Sequence, residues 1–257
     1  MFALERQKFI LEQLTLDGAV QVSKLASELG VTEETIRRDL EKLEKKEALL
    51  RTHGGAVSID NTMHDLSLEK RRHTNADIKE KLASEAVSHI IPGDTIFLDA
   101  STTTYFMAKH LKKMSEITVI TNSILIINEL AGCENIKLVG IGGQVNLNQS
   151  FVGAVAEKTI EESYYATKVF FSSKGISEKA GILESNDNEC AIKRKMIQNS
   201  KTKYYLCDKS KFGKVGFVKL TPIEEIDYFI TDCNIGKEYK EIFDENNIKI
   251  IKVKGDV

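Results

Sequence analysis

No run of about 18 apolar residues occurs in this 257-residue chain, so nothing in it is long and apolar enough to read as a bilayer-spanning helix. No basic-then-apolar leader opens the sequence either, which makes the cytoplasm the expected address and a membrane an unexpected partner. Cysteine is scarce and dispersed: Cys133, Cys190, Cys207 and Cys233 form none of the close pairs a zinc site needs, and they read as reduced thiols, mostly buried. No metal site is expected. The net charge of −2 excludes a strong overall field, so affinity for a polyanion would have to come from locally placed cations. What remains is an ordinary globular composition, 42% apolar and 29% charged, at a length that suits one large domain or two unequal ones.

Residues 1–57 read as a small helical module. Leu4, Ile10, Leu11 and Leu14 mark one face of a first helix that should stop near Gly18, and Val20 and Val22 alternate in a short extended piece. Ser23 is a candidate N-cap for a second helix that buries Leu25, Ala26 and Leu29 and ends at Gly30. Thr32 then caps a third helix, with Glu33 and Glu34 at its positive end. Ile36, Leu40 and Leu43 form its buried stripe, leaving Thr35, Arg37, Arg38 and Lys42 to project outward. Leu49 and Leu50 begin a strand, Gly54-Gly55 allow a tight turn, and Arg51 and His53 lie on the resulting wing.

Two short helices joined by a Gly-Val turn, the second exposing Thr and Arg near its start, suit the major groove of DNA, where arginine binds guanine or clamps phosphate. A bundle with a merely solvated arginine pair is the alternative. The module holds nine Lys/Arg (6, 8, 24, 37, 38, 42, 45, 46, 51) against ten Asp/Glu (5, 12, 17, 28, 33, 34, 39, 41, 44, 47). Any DNA grip must therefore come from a few aimed side chains and weaken steeply with salt.

Residues 58–75 lose periodicity and read as a linker, with Asn75 capping the next helix; Lys70, Arg71 and Arg72 there could touch phosphates or simply be solvated. From residue 76 to 257 the pattern is α/β. Ile78, Leu82, Ala86 and Val87 form a helix stripe, and β-rich runs follow at 95–98, 117–120, 136–139, 169–171, 204–206, 228–230 and 248–253. Helical stretches between most of them argue for a largely parallel sheet.

Polar and glycine residues follow most of these runs: Asp99-Ala100-Ser101-Thr102-Thr103, Thr121-Asn122-Ser123, Gly142-Gly143, Ser173-Lys174-Gly175, Asp208-Lys209-Ser210-Lys211 and Thr231-Asp232. Ligands of open parallel sheets sit beyond the carboxyl ends of the strands, and the start of a helix offers backbone N–H groups to anions. Ser101 to Thr103 make a candidate phosphate cradle, Thr121 to Ser123 a second donor cluster. Lys174 and Lys211 could add charge, while Asp99 and Asp208 could accept sugar hydroxyl protons. Each has an ordinary reading as a cap or a turn; their convergence favours a site.

The run from Val31 to Leu40 with Arg51-Thr52-His53-Gly54-Gly55-Ala56 resembles the DNA-binding domain of the DeoR family of bacterial sugar-metabolism regulators. The segments Asp99 to Thr103, Thr121-Asn122-Ser123, Gly142-Gly143, Lys174-Gly175-Ile176 and Asp208-Lys209-Ser210-Lys211-Phe212-Gly213 resemble that family's effector domain. The resemblance implies a winged helix-turn-helix over 1–57 whose DNA contacts include Ser23, Thr32, Glu34, Thr35, Arg37, Arg38, Lys42, Arg51 and His53. Over 76–257 it implies an α/β sensing and oligomerisation domain similar in fold to ribose-5-phosphate isomerase and glucosamine-6-phosphate deaminase. Asp99, Ser101, Thr102, Thr103, Thr121, Asn122, Ser123, Gly142, Gly143, Lys174, Gly175, Asp208 and Lys211 would hold the effector. A repressor of carbohydrate-use genes is expected, dimeric or tetrameric, with an operator duplex and a phosphorylated sugar as partners and no separate cofactor. Two positions depart from the pattern: a glycine is frequent near Glu47 or Ala48, and another where Ser101 stands here.

The rival reading is a sugar-phosphate isomerase or deaminase with a regulatory appendage. Such chemistry needs a positioned base and acid. None of His53, His64, His73, His89 or His110 follows a strand run, which leaves Asp99, Lys174, Glu189 and Asp208 as the groups that could act.

Overall fold

A computed structural model describes residues 3–17, 19–46, 48–52, 54–57 and 68–253, and the chain divides into two compact units, residues 1–67 and 68–257. Gly18, Glu47 and His53, and with them the expectations placed on those residues, lie outside the described residues.

The first unit holds α1 (Ala3–Asp17), β1 (Ala19–Gln21), α2 (Val22–Leu29), α3 (Glu33–Glu44), β2 (Leu50–Thr52) and β3 (Gly55–Val57). Its core joins Ile10 and Leu14 of α1 to Leu25 of α2 and Ile36, Leu40 and Leu43 of α3, with Leu49 and Ala56 closing it. Leu4 departs from the expected α1 stripe and is exposed. Val22 and Ser23 depart as well. Helix α2 begins at Val22 after an extended Gln21 that makes no side-chain cap, so Ser23 is an exposed first-turn residue rather than the N-cap. Gly30 ends α2 in the left-handed region at φ 62°, as its sequence position suggests. Thr32 caps α3 by accepting from the Thr35 amide at 3.3 Å.

Two close fits set this unit's shape. Asp39, on the buried side of α3, accepts from Arg6 Nε at 2.8 Å and Gln7 Nε2 at 3.2 Å, tying α1 to α3. The strands run in the order β1-β3-β2, both pairs antiparallel, and Gly55 lies so close to β1 that a Cβ would stand 1.8 Å from the Val20 carbonyl oxygen.

The second unit begins with α4 (Leu68–His73), so residues 68–75 of the expected linker belong to it. Then follow α5 (Ala76–Val87), β4 (Thr95–Leu98), α6 (Thr102–Leu111), β5 (Ile117–Thr121), α7 (Ile124–Leu130), β6 (Ile136–Gly140), the hairpin β7 (Gln144–Val145) and β8 (Phe151–Val152), and α8 (Ala154–Ser163). The chain continues through β9 (Ala166–Phe171), β10 (Gly175–Ser177), β11 (Gly181–Glu184), α9 (Asp187–Gln198), β12 (Ser200–Cys207), β13 (Val218–Thr221), β14 (Tyr228–Thr231), α10 (Lys237–Glu245) and β15 (Lys249–Lys252).

Seven strands form one sheet in the order β15-β14-β12-β9-β4-β5-β6, every pair parallel. They are the seven β-rich runs of the sequence. Alternation along the central strands feeds two cores: Ile96, Leu98, Phe170, Tyr204 and Ile230 into one, Phe97, Val169, Phe171, Tyr205 and Phe229 into the other. Burial on both faces is what makes these strands read as continuous apolar runs. The order turns back on itself between β4 and β9, which places a topological switch point at the carboxyl ends of those two strands. A three-stranded antiparallel sheet, β10-β11-β13, and the β7-β8 hairpin are additions that the strand pattern did not announce.

Gly55→Ala is expected to force β1 and β3 apart, at a cost of about 2–3 kcal/mol to the first unit. Amide exchange at Gln21 and Ala56 should then accelerate about a hundredfold, and unchanged rates would show that the contact bears no strain.

Candidate functional site

Because all seven strands are parallel, their carboxyl ends lie along one edge of the sheet and bring together the segments after β4, β5, β6, β9, β12 and β14. At the switch point Asp99 bridges the diverging strands. It is fully buried, and its carboxylate accepts from the Ser101 amide at 3.1 Å, Thr104 Oγ1 at 2.8 Å, the Ser172 amide at 3.1 Å and Lys193 Nζ at 3.1 Å. The expectation that Asp99 receives sugar hydroxyls is corrected accordingly: this acceptor is spent on holding the loop.

Lys193, from α9, is 5% exposed and also meets Glu184 Oε1 at 2.6 Å and the Ser172 carbonyl at 2.8 Å. Burial alone would drive its proton off; Glu184, Asp99 and Glu189 outweigh that and hold the ammonium well above the ordinary lysine range. Glu189 in turn accepts from Asn146 Nδ2 at 2.6 Å and from the Ser150 hydroxyl.

Around this net-negative cluster, in which three carboxylates surround one lysine, lie the other polar residues of the strand ends. Ser101 caps α6 by accepting from the Thr104 amide at 3.3 Å, and Thr102 and Thr103 occupy the first turn, where amides lack intrahelical acceptors. Their side chains are buried, so an anion there would meet backbone rather than hydroxyls. Thr121 donates to the Leu98 carbonyl at 2.8 Å, and Ser123 caps α7. Asn122 is 1% exposed; its Nδ2 donates to the Phe151 carbonyl at 3.0 Å, while its Oδ1 is a buried acceptor with no donor among the described residues. Gly143 brings the chain against the β8 backbone, where a Cβ would stand 2.8 Å from the Val152 oxygen, and Gly142 precedes it in the open. Gly175 is packed more tightly still, with a Cβ position 2.2 Å from the Lys214 carbonyl oxygen, and Lys174 is half-buried before it.

The cationic part of the edge follows β12. Asp208 is 2% exposed and accepts from the Ser210 amide at 2.9 Å and from the Ser210 hydroxyl. Burial would raise its pKa, but Lys211 and Ser210 prevail and lower it, so it stays ionised. Lys211 reaches back to the Ser173 carbonyl at 2.8 Å and to the Ser172 hydroxyl.

Sequence reasoning overlooked Lys79, which sits close enough to Lys211 to repel it. Lys79 is 6% exposed and donates to the carbonyls of Thr74, at 2.8 Å, and Arg71. Burial and the neighbouring Lys211 bring its pKa down to about 8. The signal was present: Lys79, Leu82, Ala83 and Ala86 line the buried side of α5, a stripe shifted by one position from the Ile78-based reading. Lys193 was hidden likewise among Glu189, Cys190, Ile192, Met196 and Ile197. Asn75 does not cap α5 with its side chain; it turns toward Asp208 and Ser210. Among the described residues no cluster of His, Cys, Asp or Glu could hold a metal ion, and no helix is long and apolar enough to cross a membrane.

In the first unit Arg37, Arg38, Lys42 and Arg51 are exposed, as are Ser23, Thr32 and Glu34, and Thr35 is half-buried. Arg37 pairs with Glu33 at 2.7 Å and Arg38 with Glu34 at 3.6 Å, both one turn back along α3. Exposed pairs of this kind contribute about 0.3–0.5 kcal/mol, so a phosphate or a guanine displaces them cheaply.

Profiles described as "DeoR-like helix-turn-helix domain" and "DeoR C terminal sensor domain" match residues 6–62 and 74–233. The chain is 34% identical over 249 residues to the L-fucose operon activator of Haemophilus influenzae, covering 96% of this chain and 98% of that protein. It is 34% identical over 258 residues to the transcriptional repressor GlcR of Bacillus subtilis, covering 100% and 98%. Among solved structures it is similar to ribose 5-phosphate isomerase A of Methanocaldococcus jannaschii, at 19% identity, 54% and 55% coverage and a TM-score of 0.41.

The low pKa of Lys79 has a defined sign. Below pH 8 the buried ammonium is charged and costs stability; between pH 8 and 10.5 the unfolded chain holds more protons, so this cost is relieved as pH rises. An anion bound against Lys79 should show the opposite trend. Phosphate monoesters are fully ionised above pH 7.5, so their affinity should fall roughly tenfold or more between pH 7.5 and 9.5. Calorimetry across that range, with Lys79→Gln flattening the profile, checks the assignment. Matches across both units and full-length relatives that are regulators make the conclusion plain: the chain belongs to the DeoR family of DNA-binding transcriptional regulators and is a regulator rather than an enzyme.

Proposed function

We propose that this chain is a repressor of carbohydrate-use genes that acts in the cytoplasm and releases its operator when a phosphorylated sugar binds at the carboxyl edge of the sheet. The observation that carries the reading is the pairing of Lys79 and Lys211 beside strand ends rich in backbone donors. Two cations and a helix start suit a phosphate. The Asn122 acceptor and the polar ends after β5 and β6 suit the hydroxyls of a sugar. The name of the L-fucose operon relative supports a sugar as the signal, and that of GlcR supports repression. The effector is the only small molecule the reading requires; no separate cofactor enters it.

Catalysis at this edge is disfavoured by the same contacts. Asp99, Glu189 and Asp208 are each engaged by protein donors, and Lys193 is held protonated, so none of these four stands ready as a base. Lys174, the other group the sequence offered, is half-buried after β9.

In the DNA-bound state Thr35, Arg37, Arg38 and Lys42 face the major groove, with Thr32 and Glu34 at the start of the reading helix and Ser23 and Arg51 toward the phosphates. Two such helices, supplied by a dimer or tetramer, would read neighbouring half-sites. Ligand and DNA are then linked through one equilibrium between arrangements.

A gel-shift titration of the full chain on DNA from upstream of its own gene, with a panel of sugar phosphates, tests this directly. One sugar phosphate should change operator affinity by about 5–150-fold. Failure of every member to do so sinks the proposal. Arg37→Ala and Arg38→Ala should each weaken operator binding by about 1–3 kcal/mol with ligand affinity intact. Equal DNA binding by both variants would refute α3 as the reading helix.

A further inference from the structure

Asn75 has a conformation that its neighbours alone account for. At φ 53° and ψ 37° it is left-handed, which costs a residue with a side chain more than it costs glycine. Its side chain makes no bond to α5, the helix it precedes. Instead Nδ2 donates to Asp208 Oδ1 at 3.5 Å and to Ser210 Oγ at 3.4 Å, 133 and 135 residues further along the chain. Both contacts are at the long limit of hydrogen bonding, so they are weak and easily exchanged.

Asn75 also lies at a junction. Before it comes α4, the first described element of the second unit, which follows the DNA-binding module in sequence. After it comes α5, whose Lys79 donates to the carbonyls of Arg71 in α4 and Thr74 just beyond it. Arg71 donates to Asn148 Oδ1 at 2.7 Å, and the Arg72 guanidinium lies 4.7 Å above the Tyr105 ring. The joint between α4 and α5 therefore rests on side chains, and Asn75 links it to the turn that carries Lys211.

We infer that Asn75 is a positioning residue that transmits effector occupancy at the 208–211 turn to the α4–α5 joint. The inference rests on the sugar-phosphate reading above for what occupies that turn. An anion drawn to Lys211 competes for the Ser210 hydroxyl and amide, which now serve Asp208. Once Ser210 and Asp208 reorient, Asn75 loses both acceptors that reward its left-handed backbone. The joint then relaxes, and α4 changes its angle to α5. Weak bonds suit this role, because the link must break at a cost the effector can meet.

The test uses the full chain carrying Asn75→Gly, which keeps the left-handed backbone and removes the amide. Ribose 5-phosphate, fructose 6-phosphate and glucose 6-phosphate serve as probes, with calorimetry for their binding and fluorescence anisotropy for the upstream DNA. The variant should bind the active probe within about threefold of the wild type. The probe's effect on DNA affinity should shrink from about 5–150-fold to below about twofold. A purely structural role would move binding and response together.

Amide exchange without any probe gives a second reading. In Asn75→Gly, residues 68–74 should exchange about tenfold faster while residues 82–86 stay as in the wild type. Exchange at wild-type rates in 68–74 would overturn the inference whatever the probes do. An undiminished probe response in the variant would overturn it and leave the sugar-phosphate reading standing. Loss of probe binding together with the response would make Asn75 a binding residue instead, and that too overturns it. A wild type that answers none of the three probes counts against the sugar-phosphate reading, and the exchange measurement still decides whether Asn75 links the turn to α4.

Discussion

Lys193 stays charged inside the protein because carboxylates surround it, and the second unit is organised around that cluster. Lys193 enters the switch point from α9 and meets Asp99 from the end of β4 and Glu184 from the end of β11. Asp99 also takes the Ser101 and Ser172 amides, so one ion cluster fixes both lips of the crevice between β4 and β9. Removing Lys193 would leave its carboxylates buried without a counter-charge, and such clusters are rigid even where they add little net stability. With three carboxylates to one ammonium, the cluster is net negative and does not itself attract an anion. Attraction for an anion must then come from cations outside the cluster, and the structure supplies Lys211 from the turn after β12 and Lys79 from α5.

The first unit follows a different economy of charge. With nine Lys/Arg against ten Asp/Glu in residues 1–57, long-range attraction to DNA is weak, and contact chemistry has to do what bulk field does in basic domains. Asp39 contributes to the fold rather than to the surface: by engaging Arg6 and Gln7 it fixes α3 against α1 and so aims the exposed face of α3. Glu33 and Glu34 hold Arg37 and Arg38 when no DNA is present. Those pairs are solvent-exposed, so they restrain the arginines without opposing their transfer to a stronger partner.

Much of this was legible in the sequence, and the parts that were not share physical reasons. Seven β-rich runs marked the seven parallel strands, and the inner five read as continuous apolar runs because they are buried on both faces, whereas the edge strands β6 and β15 are largely half-buried or exposed. The helix-turn-helix was equally plain, since Gly30, Thr32 and the Ile36-Leu40-Leu43 stripe each have one strong local reading. Ser23 misled because a serine before an apolar stretch usually caps, while here the extended Gln21 lets the helix start one residue earlier. The small antiparallel sheet escaped notice because strands of three or four residues carry too little pattern. Lys79 and Lys193 were missed for a deeper reason: a buried lysine looks polar in sequence and depends on partners such as Asp99, Glu184 and Asp208 that lie far away in the chain. Asp99 was found but given the wrong task, because a carboxylate that faces a ligand and one that ties a loop leave the same trace in sequence.

These distinctions bear on why one sheet edge can serve sensing rather than turnover. A catalyst needs a base whose proton affinity is available near neutral pH, and such a group must be left partly unsatisfied. Here Asp99 is filled by four protein donors and the central lysine is locked in its charged form, which stabilises the crevice and lowers its reactivity. A sensor needs something different: a ligand must prefer one arrangement over another by about 1–3 kcal/mol. A saturated core cannot supply a difference that small without breaking. The marginal contacts around the 208–211 turn and the α4–α5 joint can, because each is individually worth little and several change together. Rigidity at the switch point and looseness beside it are thus complementary requirements, and the chain meets the first with Lys193 and the second with Lys79, Asn75 and Ser210.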